Sequence, residues 1–121
     1  GSMRILPYSP KTAMILGSAV TTASTSAGLS PLCTRGLLHR LVNTAKKEHG
    51  ITFNVGAELE FCLHDAKSGL PLDQSIFANN NTLNEQESFL SDLLDQLEQQ
   101  AIPIELLHAE SSPAQIELVI E

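Results

Sequence analysis

Cysteine is scarce in this chain. Cys33 and Cys62 are two in 121 residues, too few and too far apart for a disulfide scaffold or a cysteine-based zinc site. A reducing, cytoplasmic compartment is the expectation that follows. Basic residues are scarce as well: seven Lys and Arg stand against 14 Asp and Glu, giving a formal charge of -7 and a pI of about 4.9. Nucleic-acid and anionic-membrane surfaces need clustered positive charge, and Lys46 with Lys47 makes no patch. No apolar run approaches the roughly 18 residues of a membrane-spanning helix. The opening has no basic region followed by an apolar run and a small-residue cleavage site. Gly1-Ser2-Met3 reads instead as a tag remnant, which leaves residues 4–121 as the domain. The small-residue stretch Thr21 to Ser30 lacks the Gly and Lys spacing of a phosphate-cradling loop and reads as a plain loop.

What is present fits one globular domain with a modest core: 42% of residues are apolar and the mean hydropathy is +0.02. The chain is organised around Ile51 to Asp65, ITFNVGAELEFCLHD, which alternates with period two. As a strand it sends Phe53, Val55, Ala57, Leu59, Phe61 and Leu63 to one side. The other side carries Thr52, Asn54, Gly56, Glu58, Glu60, Cys62 and His64. Glu58 and Glu60 then stand about 7 Å apart on one polar face. Like charges held that close cost Coulomb energy unless water, a proton or a divalent metal lies between them, so this strand is half of a candidate metal site.

In chain order, the two prolines between Arg4 and Pro10 predict an extended lead-in. Thr12 to Val20 is nearly all apolar and predicts a buried strand. Leu37, Leu38, Leu41, Val42 and Ala45 recur at helical spacing within Pro31 to His49, with Gly50 as the stop and Lys46 and Lys47 at the negative end of the helix dipole. This helix is expected to pack on a sheet. A long connection runs from Ala66 to Leu83, and a connection of that length implies a functional or covered excursion. Asn84 and Glu87 form a capping-box start to a second helix, whose stripe is Phe89, Leu90, Leu93, Leu94 and Leu97. The last segment predicts a strand around Ile102 to Ala109, a kink at Ser111-Ser112-Pro113, and a second strand from Gln115. In that strand Ile116, Leu118 and Ile120 share one side, and Gln115, Glu117, Val119 and Glu121 the other. Glu110 precedes the kink, where a turn can aim it over the sheet. Carboxylates converging from adjacent strands suit an all-oxygen magnesium or manganese site.

Two of these motifs carry a resemblance. VGAELEFCL (Val55 to Leu63) resembles the Glu-x-Glu strand of the glutamine synthetase family. HAESSPAQIE (His108 to Glu117) resembles its second motif, a Glu, a Pro-Gly-Gln-type turn and another Glu. The lead-in RILPYSPKTAMIL and the first helix are similar to the family more weakly, so nearly the whole chain is covered, as the first part of that catalytic domain. The resemblance implies an α+β fold, an antiparallel sheet with two helices on one face. It implies that Glu60, Glu110 and Glu117 hold one Mg2+ or Mn2+, that Glu58 holds a second metal on the ATP phosphates, and that Glu105 lies near the nucleotide. The implied reaction is ATP-dependent ligation of ammonia to the glutamate side chain through an acyl phosphate, in a homo-oligomer. The family's amino-terminal domain and its later histidine, arginine and glutamate segments have no counterpart here, so the isolated chain is expected to be inactive and to expose a sheet edge. Ala114 stands where the family usually has Gly, which costs energy if the position needs a positive φ. A non-catalytic scaffold built on the same fold is the alternative. An unrelated metal-binding or interaction domain is a third reading, and it leaves the paired motifs as coincidence.

Overall fold

A computed structural model describes residues 2–21, 28–74 and 76–120. The element order is β1 (Arg4–Leu6), β2 (Ser9–Met14), α1 (Thr34–His49), β3 (Ala57–Cys62), α2 (Asn80–Glu85), α3 (Glu87–Gln99), β4 (Ile104–Ala109) and β5 (Gln115–Ile120). This is the expected α+β class with antiparallel pairing. No helix among the described residues is long and apolar enough to cross a membrane. Contacts divide the chain into two compact units, Lys11–Asn54 with the residues up to Ile5, and Val55 onward with Leu6–Pro10.

The lead-in is more regular than its prolines suggest. β1 and β2 pair as a two-stranded hairpin that turns at Pro7 and Tyr8. The buried strand expected over Thr12 to Val20 is not found: β2 ends at Met14, and Met14, Ile15, Leu16 and Val20 are all exposed. An apolar run of that length names no secondary structure by itself, and here its second half follows the chain without a ladder partner except at Val20, which bridges Leu29. Most of the expected loop at Thr21 to Ser30 lies outside the described residues.

In the first unit α1 begins and ends on local chemistry. The Cys33 Sγ accepts hydrogen bonds from the Gly36 N–H at 3.4 Å and the Ala19 N–H at 3.3 Å. Those two donors, Gly36 first, hold its thiol pKa below the ordinary value. Gly50 closes the helix in the left-handed conformation at φ 68°, its N–H reaching back to Lys46 O. The stripe leucines Leu37, Leu38 and Leu41 stay exposed.

The second unit holds the three-stranded sheet, in the order β3-β5-β4. The central strand expected over Ile51 to Asp65 is shorter than its alternation: residues 51–56 form no regular element, and pairing starts at Ala57. The last strand of the sequence is the middle strand in space, so β3 and β4 are the sheet edges rather than β5. Ala109, Ile116 and Leu118 are buried on the apolar face, and Leu90 of α3 completes the core with the turn residue Ala114. Burying each of these leucines and isoleucines contributes ~2 kcal/mol. α3 sets Phe89 edge-on against Phe61 at a centroid distance of 6.3 Å, and α2 lies against β4. The helices on this sheet are therefore α2 and α3, while α1 belongs to the other unit.

The capping box at Asn84 and Glu87 is also corrected. Asn84 lies inside α2, which Asn79 caps by accepting from the Asn81 N–H at 2.9 Å, and α3 follows from Gln86 at its N-cap, which makes no side-chain cap. The Asn79-Asn80-Asn81 run, within the connection expected from Ala66 to Leu83, opens a helix instead. Earlier in that connection Asp65 closes a tight turn, its Oδ1 accepting from Ser68 N at 2.8 Å, Ser68 Oγ at 2.9 Å and Lys67 N at 3.1 Å. These donors, Ser68 N–H first, hold the Asp65 pKa below the usual carboxylate value. A lowered pKa contributes stability that is present above the unfolded-state value and is lost as pH falls through the folded-state value. Asp65→Asn is therefore expected to flatten part of the stability loss as pH falls below the ordinary carboxylate value of about 4. Urea unfolding across that range checks it; an unchanged acid limb overturns it.

A candidate metal centre on the polar face of the sheet

The register decides which side chains meet. Glu60 of β3 stands opposite Glu117 of β5, and Glu117 stands opposite His108 of β4, forming one row across three strands. One pair further along, Glu58 faces Val119. On the other side of the row Cys62 faces Gln115, and the Glu110 N–H donates to Gln115 O at 2.9 Å, which carries the β4–β5 ladder into the turn. Directly opposed residues sit ~5 Å apart at Cβ, and opposed like charges destabilise the pair. The row thus holds two carboxylates in a place that repels them.

His108 answers that repulsion in the absence of an ion. Its Nδ1 donates to the Ala109 carbonyl at 3.0 Å, which fixes the proton on that nitrogen. Its Nε2 lies 3.4 Å from Glu117 Oε1. The Ala109 carbonyl raises the imidazole pKa above its ordinary value; burial opposes this, and the Glu117 charge adds to it. Glu117 is the most enclosed acid of the row, its side chain 12% exposed. Glu110 accepts from the Ser111 hydroxyl and from the Ser111 N–H at 2.7 Å, and these bonds, the hydroxyl first, hold its pKa below the usual carboxylate value. It is ready to act as an anion at neutral pH.

His108, Glu110 and Glu117 each offer one donor atom, and the three atoms lie within 4.8 Å of one another. Two ligands at 2.0–2.6 Å from a common divalent ion are separated by at most about 5 Å, so the donor set fits such an ion. Of the residues singled out in the sequence, Glu110 and Glu117 come together in this trio. Glu60 lies outside the trio; it stands opposite Glu117 and is held by Gln115, whose Nε2 donates to Glu60 Oε2 at 2.5 Å. Glu58 shares the polar face but lies outside the trio. Glu105 stands apart: the register shifts between Ile104 and Leu106, leaving Glu105 unpaired at a β-bulge and exposed. Glu121, expected on the same face as Glu117, lies outside the described residues.

One feature escaped sequence reasoning. His108 stands at the head of the second motif, and the motif's glutamates alone suggest ligands there. Its signal was parity, since His108 and Glu110 are two apart and share a strand face. The turn between β4 and β5 was correctly suspected of needing a positive φ. Ala114 has φ 55° and no exposed surface. Its N–H donates to Asp73 Oδ1 at 3.0 Å, and its carbonyl accepts from Leu63 N at 3.0 Å.

Residues 31–121 match the profile of the family described as Glutamine synthetase, catalytic domain. The chain belongs to the glutamine synthetase family. Its members are ligases of nitrogen metabolism. The chain is also 32% identical to Type-1 glutamine synthetase 1 of Dictyostelium discoideum over 133 aligned residues. That alignment covers 98% of this chain and 27% of the relative, so the chain spans about a quarter of the length of the curated relative it matches. The family match takes in both glutamate motifs and the Ser111–Ala114 turn between β4 and β5.

Proposed function

We propose that this chain supplies the divalent-metal face of a glutamine synthetase-type ligase. The observation that carries this reading is the row Glu60–Glu117–His108, with Glu110 brought beside it by the turn. Glu60, Glu110 and Glu117 would hold one Mg2+ or Mn2+, and Glu58, further along the same face, would hold a second on the phosphates of ATP. A bound divalent ion neutralises charge on phosphate oxygens and orients the reactants of a phosphoryl transfer. The chain's own contribution is a rigid sheet that fixes three carboxylates in place, with a turn locked by Ser111, Asp73 and Leu63. His108, whose Nε2 lies 3.4 Å from Glu117 Oε1, balances the charge of that carboxylate when the imidazole is protonated.

The reaction in this reading is transfer of the ATP γ-phosphoryl group to the glutamate side chain, followed by displacement of phosphate by ammonia. Glu105 on its bulge faces the nucleotide. In this reading the protein is a cytoplasmic homo-oligomer, and the 121 residues alone are inactive. Formation of γ-glutamyl hydroxamate from glutamate, hydroxylamine and ATP with Mg2+ or Mn2+ tests this in the full-length protein. Activity is expected there, with Glu60→Gln losing at least ~100-fold of the rate, about 3 kcal/mol of transition-state stabilisation. An inactive but correctly assembled protein makes the fold a scaffold instead.

A further inference from the structure

Gln115 is tied into the site by four hydrogen bonds, and together they fix its side-chain amide. Its backbone N–H donates to Ser112 O at 3.0 Å and its carbonyl accepts from the Glu110 N–H at 2.9 Å. Its side-chain Oε1 accepts from the Ser112 N–H at 2.9 Å. A backbone N–H can only donate, so the atom facing Ser112 is the amide oxygen. The amide nitrogen therefore faces Glu60, and it donates to Glu60 Oε2 at 2.5 Å. A single residue thus links the turn that carries Glu110 to the carboxylate on the far edge strand.

This link has a consequence for coordination. A free carboxylate binds a cation through one oxygen or through both, and Ca2+, with 6–8 ligands at 2.3–2.6 Å, readily takes both. Mg2+ demands near-octahedral geometry at 2.0–2.1 Å and suits single-oxygen ligands. With one lone pair of Oε2 engaged by Gln115, that oxygen is the weaker donor of the two, and Glu60 favours coordination through Oε1 alone. We propose that Gln115 is a specificity-determining positioning residue: it steers Glu60 to single-oxygen coordination and so biases the centre toward Mg2+ and Mn2+ and against Ca2+. The inference rests on the metal reading of Glu60, Glu110 and Glu117 given above. Hydrogen-bonded partners of ligating carboxylates commonly control 10–100-fold in metal affinity.

The test is the ratio of Ca2+ to Mn2+ dissociation constants in the full-length protein. Free Mn2+ is followed by its electron paramagnetic resonance signal, and Ca2+ by competition against it. Gln115→Met keeps the side-chain length and removes the amide, and the ratio is expected to fall about tenfold. A merely structural loosening weakens both ions together and leaves the ratio unchanged, which overturns the proposal. Should Gln115→Met fail to fold, Gln115→Leu gives the same readout, because it also removes the amide that donates to Glu60 and adds no charge or ligand. Glu117→Gln separates the two levels of inference. If it leaves Mn2+ binding intact, the metal reading itself fails; if it abolishes binding while the Gln115 variants keep the wild-type ratio, only the role of Gln115 falls.

Discussion

Replacing Ala114 by valine is expected to lower the unfolding free energy by about 3 kcal/mol. Ala114 sits at φ 55° with no exposed surface. The left-handed region costs a non-glycine residue ~1–2 kcal/mol, and a β-branched side chain adds crowding at χ1 that alanine does not have. Two extra methyl groups must also fit where the site is already closed, which typically costs 1–3 kcal/mol. The turn cannot relax to admit them, because the Ala114 N–H is bound to Asp73 and its carbonyl to Leu63. Glycine at the same position is expected to change stability by less than ~1 kcal/mol. It relieves the φ cost, but it loses a buried methyl and gains unfolded-state entropy. Urea unfolding of both variants decides the matter. A valine variant within ~1 kcal/mol of the parent would mean that the turn is not locked.

That turn shows where sequence reading succeeds and where it stops. The need for a positive φ at Ala114 was foreseeable, because a residue standing where glycine is usual asks a question about backbone conformation. The alternation of Ala57–Cys62 and of Gln115–Ile120 was equally visible, since period-two patterning reports which faces are buried. The pairing order was not visible. Nothing in the alternation says that β5, last in sequence, lies between β3 and β4, and only that order sets Glu60, Glu117 and His108 in one row. Register is a long-range property, fixed by which apolar faces cover the same core. The bulge at Glu105 was hidden for the same reason: the shift belongs to the pair of strands, not to either one.

Local signals failed where two of them competed. Asn84 and Glu87 have capping-box spacing, yet Asn79 satisfies the first turn of α2 five residues earlier, so Asn84 is already helical. The alternation from Ile51 to Gly56 continues the pattern of β3 without forming a strand, because a pattern needs a neighbouring strand to supply hydrogen bonds. Thr12 to Val20 is apolar without being buried. In each case composition described what the segment tolerates, and pairing decided what it does.

Glu117→Gln is expected to weaken Mn2+ binding at least ~100-fold, about 3 kcal/mol at 1.4 kcal/mol per tenfold, while leaving the ion-free fold nearly as stable as before. The two effects part because the same carboxylate plays opposite roles in the two states. In the proposed metal centre Glu117 would be the ligand between Glu60 and the His108–Glu110 side of the row, and its side chain is 12% exposed. Without an ion it faces Glu60 across the strands, a like-charge pair that costs a few tenths to about 1 kcal/mol, and it recovers a comparable amount from His108 once the imidazole is protonated. An isosteric amide removes both terms, so they largely cancel. Titration of Mn2+ by electron paramagnetic resonance, beside urea unfolding in chelator, reads the two quantities separately. A parallel loss of affinity and ion-free stability would make Glu117 a structural acid. A loss of affinity alone identifies a group placed at a cost to the fold, which is what a metal ligand on a repelling row must be.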